Sequence, residues 1–348
     1  MNTNSISPIP LKKETISATK TLYIFNPEHD LALAVGQGAY TPPLEVTKLR
    51  KEKSLLPALY ADDGDFILIL SDIAHDELIH LDYYNLAQEK NLKVISLKEL
   101  PSVENNIKKV VPWGWDHSIF KLLLDAGLSS YLLPSQDDIV KIRNLSHRKS
   151  VISFRKIYSD ETGENILNMP KELLSLEEVE GFLREFPLSY YKAPWSSSGR
   201  GIIVSDHISR KGLMEWASGV LRKQGCVIGE PAWDRVFDFA TEWVVSKGDP
   251  KFLGYSVFKT SSRGKYHANI NASQAELLDI ITEQVPKFKF NIIETQKIVL
   301  TKLISSKYEG PLGIDMLADR EGNINPCVEI NLRMTMGHIP IFSKTHFI

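Results

Sequence analysis

The sequence predicts an α/β amino-terminal domain followed by an α+β region. Three observations carry that expectation. Short apolar runs near the start alternate with helical stretches, the signature of a parallel sheet. Beyond residue 135 such runs crowd together and several are joined by tight turns, which implies antiparallel pairing. The 348 residues are long enough for two or three domains and bury most of their unfolded surface without staples.

Composition narrows the function classes. The chain is 43% hydrophobic and 24% charged, ordinary for a globular protein. Lys plus Arg is 41 and Asp plus Glu is 43, a net charge of −2. That argues against a nucleic-acid binder or a membrane-surface protein. Cys226 and Cys327 stand at no metal-ligand spacing, so neither a disulfide framework nor a Cys-based zinc site is expected, and a cytoplasmic location fits. No apolar run reaches the ~18 residues of a membrane span. Residues 1–20 contain no apolar signal segment and read as a flexible polar tail.

In the first domain, 21–134, strands are expected at 21–25 (TLYIF), 66–70 (FILIL), 92–96 and 109–112, with a helix over 72–88. Pro134-Ser135 marks a joint, and 137–157 is helical in period. Strands follow at 188–192, 201–204, 226–229, 240–245, 252–258, 265–269, 313–317 and 327–332, with helices at 273–284 and 293–306.

Some motifs fail on spacing. In HDELIH, His75 and His80 are five apart and cannot share the face that a zinc-protease helix needs. In GYSVFKT, Phe258 stands where a phosphate loop requires glycine. WSSSGRG lacks the order of a hydrolase nucleophile elbow.

Three segments form a coherent set. In YKAPWSSSGRG, Lys192 ends an apolar strand and a small-residue loop follows, Ser196, Ser197, Ser198, Gly199, Arg200 and Gly201. Such a loop lets backbone N–H groups approach an anion, and the lysine adds a point charge. In GIDMLADREGNINPCVEINLR, Glu329, Asn331 and Arg333 alternate on one strand face while Ile330 and Leu332 point into a core. A turn centred on Gly322 pairs Asp315 with Glu329, two carboxylates that repel unless a hard cation joins them. In CVIGEPAWDRVFD, a strand ends at Glu230-Pro231, offering backbone groups to a purine edge and Asp234 or Asp238 to ribose hydroxyls.

The order of these segments, over about residues 135–348, resembles the ATP-grasp superfamily: Lys with a Gly/Ser-rich loop, a Glu-led hinge, then Asp and E-x-N-x-R. The resemblance implies an α/β pre-ATP-grasp domain (21–134) and an ATP-grasp fold of two subdomains (135–230 and 231–348) gripping ATP between two sheets. It implies Lys192 as phosphate-binding lysine, Ser196–Gly201 as phosphate-covering loop, and Glu230, Ala232 and Trp233 as adenine hinge. Asp315, Glu329 and Asn331 match the magnesium ligands, with Mn²⁺ admissible, and Arg333 matches the arginine that follows them. An earlier basic residue, Arg148 or Lys149, would also reach the phosphates. The implied reaction joins a carboxylate to an amine or thiol through an acyl phosphate, releasing ADP and phosphate, with Lys192 and Arg333 balancing charge on the γ-phosphoryl group. Small-molecule carboxylate and amine substrates are the implied partners, and a homodimer is compatible. A kinase of the same fold and a non-catalytic nucleotide-binding scaffold are the alternatives; the full metal-ligand set speaks against the scaffold. The basic segment 259–269 and the loop Asn26-Pro27-Glu28-His29-Asp30, at the carboxyl end of the first strand, are the segments considered for the substrates.

Overall fold

The computed structural model describes residues 19–36, 40–196, 201–260, 266–304 and 306–344. Its first sheet is built from β1 (Lys20–Ile24), β2 (Phe66–Ile69), β3 (Lys93–Ser96) and β4 (Ile107–Pro112), in the order β3-β2-β1-β4. Every pairing in it is parallel. All four residues of β2 are buried, as a strand covered on both faces requires.

The second sheet holds β5 (Lys171–Leu173), β6 (Ser189–Lys192), β7 (Ile202–Val204) and β8 (Val227–Pro231), ordered β5-β8-β6-β7 and antiparallel throughout. Helices Leu176–Glu185 and Arg210–Gln224 lie in the same unit. Neither these helices nor β5 was expected.

The third sheet is β11-β10-β9-β12-β13, from β9 (Arg235–Ser246), β10 (Asp249–Thr260), β11 (Tyr266–Asn269), β12 (Gly310–Asp319) and β13 (Ile324–Asn331). Lys247 and Gly248, both at positive φ, turn β9 into β10, as a two-residue hairpin demands. Helices Ser150–Thr162, Gln274–Gln284 and Ile292–Leu303 share the large core of this sheet, where Phe154, Trp243, Val299 and Ile314 are all buried. No helix among the described residues is long and apolar enough to cross a membrane.

Two expected helices are broken. The 72–88 segment forms only His75–Leu78 and Tyr84–Glu89, interrupted by Tyr83 at φ 68°. The 137–157 segment splits into Gln136–Leu145 and Ser150–Thr162. At that break the Arg148 N–H leaves the helical ladder and donates to the Pro194 carbonyl at 3.1 Å. The split thereby ties the helix start to the segment after β6.

Candidate active site

The second and third sheets are bridged by charge. Glu230 on β8 is buried, and its carboxylate lies between Lys192 of β6 and Arg155 of helix Ser150–Thr162. Arg155 is fully buried and also donates to the Cys327 carbonyl of β13 at 2.8 Å and to the Asn168 carbonyl at 3.1 Å. Burial pushes the Glu230 carboxyl up, but Arg155 and Lys192 outweigh it and hold its pKa at about 2. Lys192 is itself buried, so its ammonium is held inside the protein by Glu230.

The neighbouring bridge runs through Arg148. Its Nη1 donates to the Ala193 carbonyl at 2.7 Å and to Ser196 Oγ at 2.6 Å, and its Nη2 to Glu329 Oε1 at 2.7 Å. Of the two basic residues left open by the sequence, Arg148 thus joins this constellation. Lys149 turns away, half-exposed, with Nζ 3.6 Å from Glu172. At the loop after β6, Ala193 N–H donates to the Gly201 carbonyl at 2.8 Å. A Cβ on Gly201 would lie 2.4 Å from Ser196 Cβ, so only glycine lets the two ends of the loop meet. Ser197, Ser198, Gly199 and Arg200 lie outside the described residues.

On the third sheet Asp315 of β12 stands directly opposite Glu329 of β13, with Gly313 opposite Asn331. Ile330 and Leu332 are buried, as their alternation required. The pairing is the expected one, but the route to it differs. Ala318 pairs with Ile324 and Leu317 with Asn325, so the turn is centred one residue before Gly322, and a register shift between Asp315 and Leu317 restores the carboxylate pair. Pro326, which has no N–H for the ladder, sits in the shifted stretch. Burial first, then Glu329 and Glu242, push the Asp315 pKa up to about 8. Asn331 Nδ2 donates to Asp315 at 3.2 Å, and Asn331 Oδ1 accepts from Arg333 at 3.1 Å. Two carboxylates that resist joint ionisation, beside one amide, form an all-oxygen donor set that fits a hard divalent cation.

Arg333 grips Asp30 of helix His29–Val35 through Nε at 3.1 Å and Nη2 at 2.9 Å. Burial opposes its charge, yet Asp30 holds its pKa above the ordinary value. The expected hinge is partly engaged already: the Ala232 N–H donates to the Leu188 carbonyl at 3.0 Å, and its carbonyl accepts from Asn168 Nδ2 at 3.1 Å. Trp233 Nε1 is buried without a partner. Asp238 on β9 is half-buried, 3.7 Å from Arg235 Nε, whereas Asp234 is exposed and bound to Arg320 at 3.0 Å.

Two residues, Arg155 and Glu242, escaped the sequence reading, and a third, Asp30, was read for a different contact. Arg155 follows the buried period Val151, Phe154, Arg155, Tyr158, and a cation on an apolar helical face was a usable signal. Asp30 had been placed with the substrate loop and not with Arg333. Glu242, inside an apolar strand, is buried and accepts from Ser256 Oγ at 2.8 Å and Thr335 Oγ1 at 2.9 Å. A Cβ on Gly337 would lie 1.9 Å from its Oε1, so that glycine makes room for the carboxylate.

Comparison with protein-family models and with curated proteins finds no match. Solved structures do match. Biotin carboxylase from Campylobacter jejuni, in a β,γ-ATP complex, aligns with a TM-score of 0.54 at 12% identity over 93% of this chain and 70% of that one. N5-carboxyaminoimidazole synthetase from Staphylococcus aureus, complexed with ADP, aligns at 0.51 and 12% identity over 93% and 73%. The biotin carboxylase domain of the Hydrogenobacter thermophilus 2-oxoglutarate carboxylase, with MgADP and bicarbonate, aligns at 0.52 and 13% identity over 93% and 68%. Its parallel first sheet, the two bridged antiparallel sheets and these alignments identify the architecture: the chain has an α/β domain followed by the ATP-grasp fold.

Proposed function

We propose that this protein is an ATP-dependent ligase that joins a carboxylate to an amine through an acyl phosphate and releases ADP and phosphate. One observation carries the reading. Asp315 and Glu329 stand opposed, Arg148 pairs with Glu329, Asn331 links Asp315 to Arg333, and Lys192 immediately precedes Ala193, whose carbonyl Arg148 holds. Phosphoryl transfer needs positioning and charge neutralisation rather than a protein nucleophile, and those are the groups gathered here. Asp315, Glu329 and Asn331 would hold Mg²⁺, which supplies charge neutralisation at the nucleotide's phosphate oxygens. Arg148 and Lys192 would meet the phosphates, with Ser196 and Gly201 at the ends of the covering loop. Arg333 would balance charge on the transferred phosphoryl group once it leaves Asp30. Glu230 acts in this scheme as the anchor that aims Lys192.

The nucleotides and bicarbonate found in the solved relatives of this fold support a nucleotide-dependent reaction on a carboxylate. The test is product analysis with ATP, Mg²⁺ and panels of carboxylates and amines. A ligase releases ADP and inorganic phosphate only when both partners are present. Phosphate retained on the organic product would establish a kinase instead. Binding should also raise the melting temperature in millimolar Mg-ADP, because the ligand engages the folded state; an unchanged transition contradicts the reading.

A further inference from the structure

We propose that His147, Glu172 and Cys226 form a second metal site, for Zn²⁺ or a similar divalent cation, separate from the Asp315–Glu329 pair and independent of the ligase reading. The three residues come from three places. His147 lies in the break between helices Gln136–Leu145 and Ser150–Thr162, Glu172 on β5, and Cys226 just before β8. Leu173 of β5 pairs with Val227 of β8, which makes Glu172 and Cys226 diagonal neighbours on one face of that pair. One nitrogen, one carboxylate oxygen and one sulfur thereby lie within 4.8 Å of one another. Imidazole and thiolate donors suit zinc, whereas the all-oxygen set on the third sheet suits a hard cation.

The spacing is close to what one cation requires. Cys226 Sγ lies 3.6 Å from His147 Nε2. Tetrahedral bonds of about 2.3 Å to sulfur and about 2.0 Å to nitrogen put two ligands of one zinc about 3.5 Å apart, so this pair needs almost no movement. The Trp195 ring meets the imidazole edge-on, with centroids 4.6 Å apart, and fixes its plane. His147 and Cys226 are buried, and the Glu172 side chain, 34% exposed, has the freedom to close the remaining gap. All three residues line one cavity of about 570 Å³, together with Asn144, Trp195 and Gln224. That space leaves a fourth coordination position for water, as zinc sites with three protein ligands do.

Two protons and one ammonium stand where the cation would go. His147 Nδ1 accepts from the Lys149 N–H at 3.0 Å, so Nε2 carries the ring proton and turns it toward the sulfur. The Cys226 thiol donates to the Glu172 carboxylate. Lys149 Nζ lies 3.6 Å from the same carboxylate. On binding, the thiol proton passes to solvent and the ring proton moves to Nδ1. The Lys149 N–H, at the N-cap of its helix, then exchanges the ring for water. One proton is released per cation. The Lys149 side chain is half-exposed, so its ammonium can leave Glu172 for solvent. The same ring state excludes a thiol nucleophile, because an imidazole protonated at Nε2 takes no proton from Cys226.

The test is titration of the reduced full chain with Co²⁺, read as thiolate-to-cobalt charge-transfer absorption. Excess Mg²⁺ competes for the oxygen donors of the third sheet. One equivalent of Co²⁺ should produce the band, and Zn²⁺ should displace it. Cys226→Ser should remove the band outright. Glu172→Gln should weaken Zn²⁺ about tenfold, and Lys149→Ala, which removes the competing ammonium, should tighten it about threefold. Glu172→Gln alters a partly exposed side chain and serves if Cys226→Ser does not fold. No band in the parent, or Zn²⁺ affinity indifferent to both Glu172→Gln and Lys149→Ala, overturns the site. A band that survives in Cys226→Ser would place the cation at Cys327 and overturn it equally.

Discussion

Glu230 touches two cations, and the loss of each has a different consequence. Without Lys192 the carboxylate keeps Arg155, so Lys192→Ala should fold, lose about 1–3 kcal/mol in urea denaturation and bind nucleotide more weakly. Full stability would show that the buried contact contributes nothing. Without Arg155 the carboxylate loses its guanidinium partner, and two carbonyls, of Cys327 and Asn168, lose their donor. Arg155→Leu should therefore cost about 3–5 kcal/mol, the range for breaking a buried pair. The pH dependence follows from the same contacts. Glu230 titrates at about 2 in the fold against an ordinary 4.5. Its stabilisation is complete above the ordinary value and is lost as pH falls toward 2. Asp315 has the opposite sign, titrating near 8 against an ordinary 3.8. The metal-free fold binds its proton longer than the unfolded chain does, so stability declines as pH rises between those values. Glu329→Gln removes one of the repelling charges and should flatten that decline while abolishing turnover. Melting temperatures from pH 4 to 8 check it, and an unaltered slope, or full activity, would dismiss the carboxylate pair.

At the scale of single elements, the sequence was most legible where alternation is strict. Ile330 and Leu332 inward with Glu329 and Asn331 on the other face is a period-two pattern, and the strand follows it. The turn was less legible. A symmetric loop about Gly322 predicts the Asp315–Glu329 pair, yet the pair forms through an earlier turn and a compensating shift. Pro326 was the available sign, since it cannot donate to the ladder. The broken helices failed for a related reason. Helical periodicity continues through residues 146–149, but the Arg148 N–H is drawn to Pro194, a contact remote in sequence. The turn itself supplies a test. Gly322 has φ 80°, where a side chain costs about 1 kcal/mol. Gly322→Ala should lower the melting temperature by a few degrees with Mg-ADP affinity intact. A loss of affinity instead would mean that this turn controls the register of the carboxylates.

Across the whole molecule, the order of domains was readable from strand and helix alternation, but their mutual grip was not. Met334 and Ile339, just past Arg333, are buried with Phe25, Leu56, Tyr60 and Trp113 of the amino-terminal domain. The Met334 N–H donates to the Trp113 carbonyl at 2.8 Å. Residues far apart in sequence build this shared core, and no local pattern encodes it. It also fixes Arg333 against Asp30. In the reading proposed here, a γ-phosphoryl group must compete with that carboxylate for the guanidinium, whereas ADP presents no such group. Asp30→Asn removes the competing charge and leaves Arg333 with Asn331 Oδ1 and the Met334 carbonyl. The variant should lose about 1.5–3 kcal/mol of stability and bind a non-hydrolysable ATP analogue more tightly relative to ADP than the parent does. The ratio of the two affinities is the decisive quantity, because a general loosening of the fold moves both together. An unchanged ratio would mean that Arg333 serves the interface between domains and does not answer to the terminal phosphate.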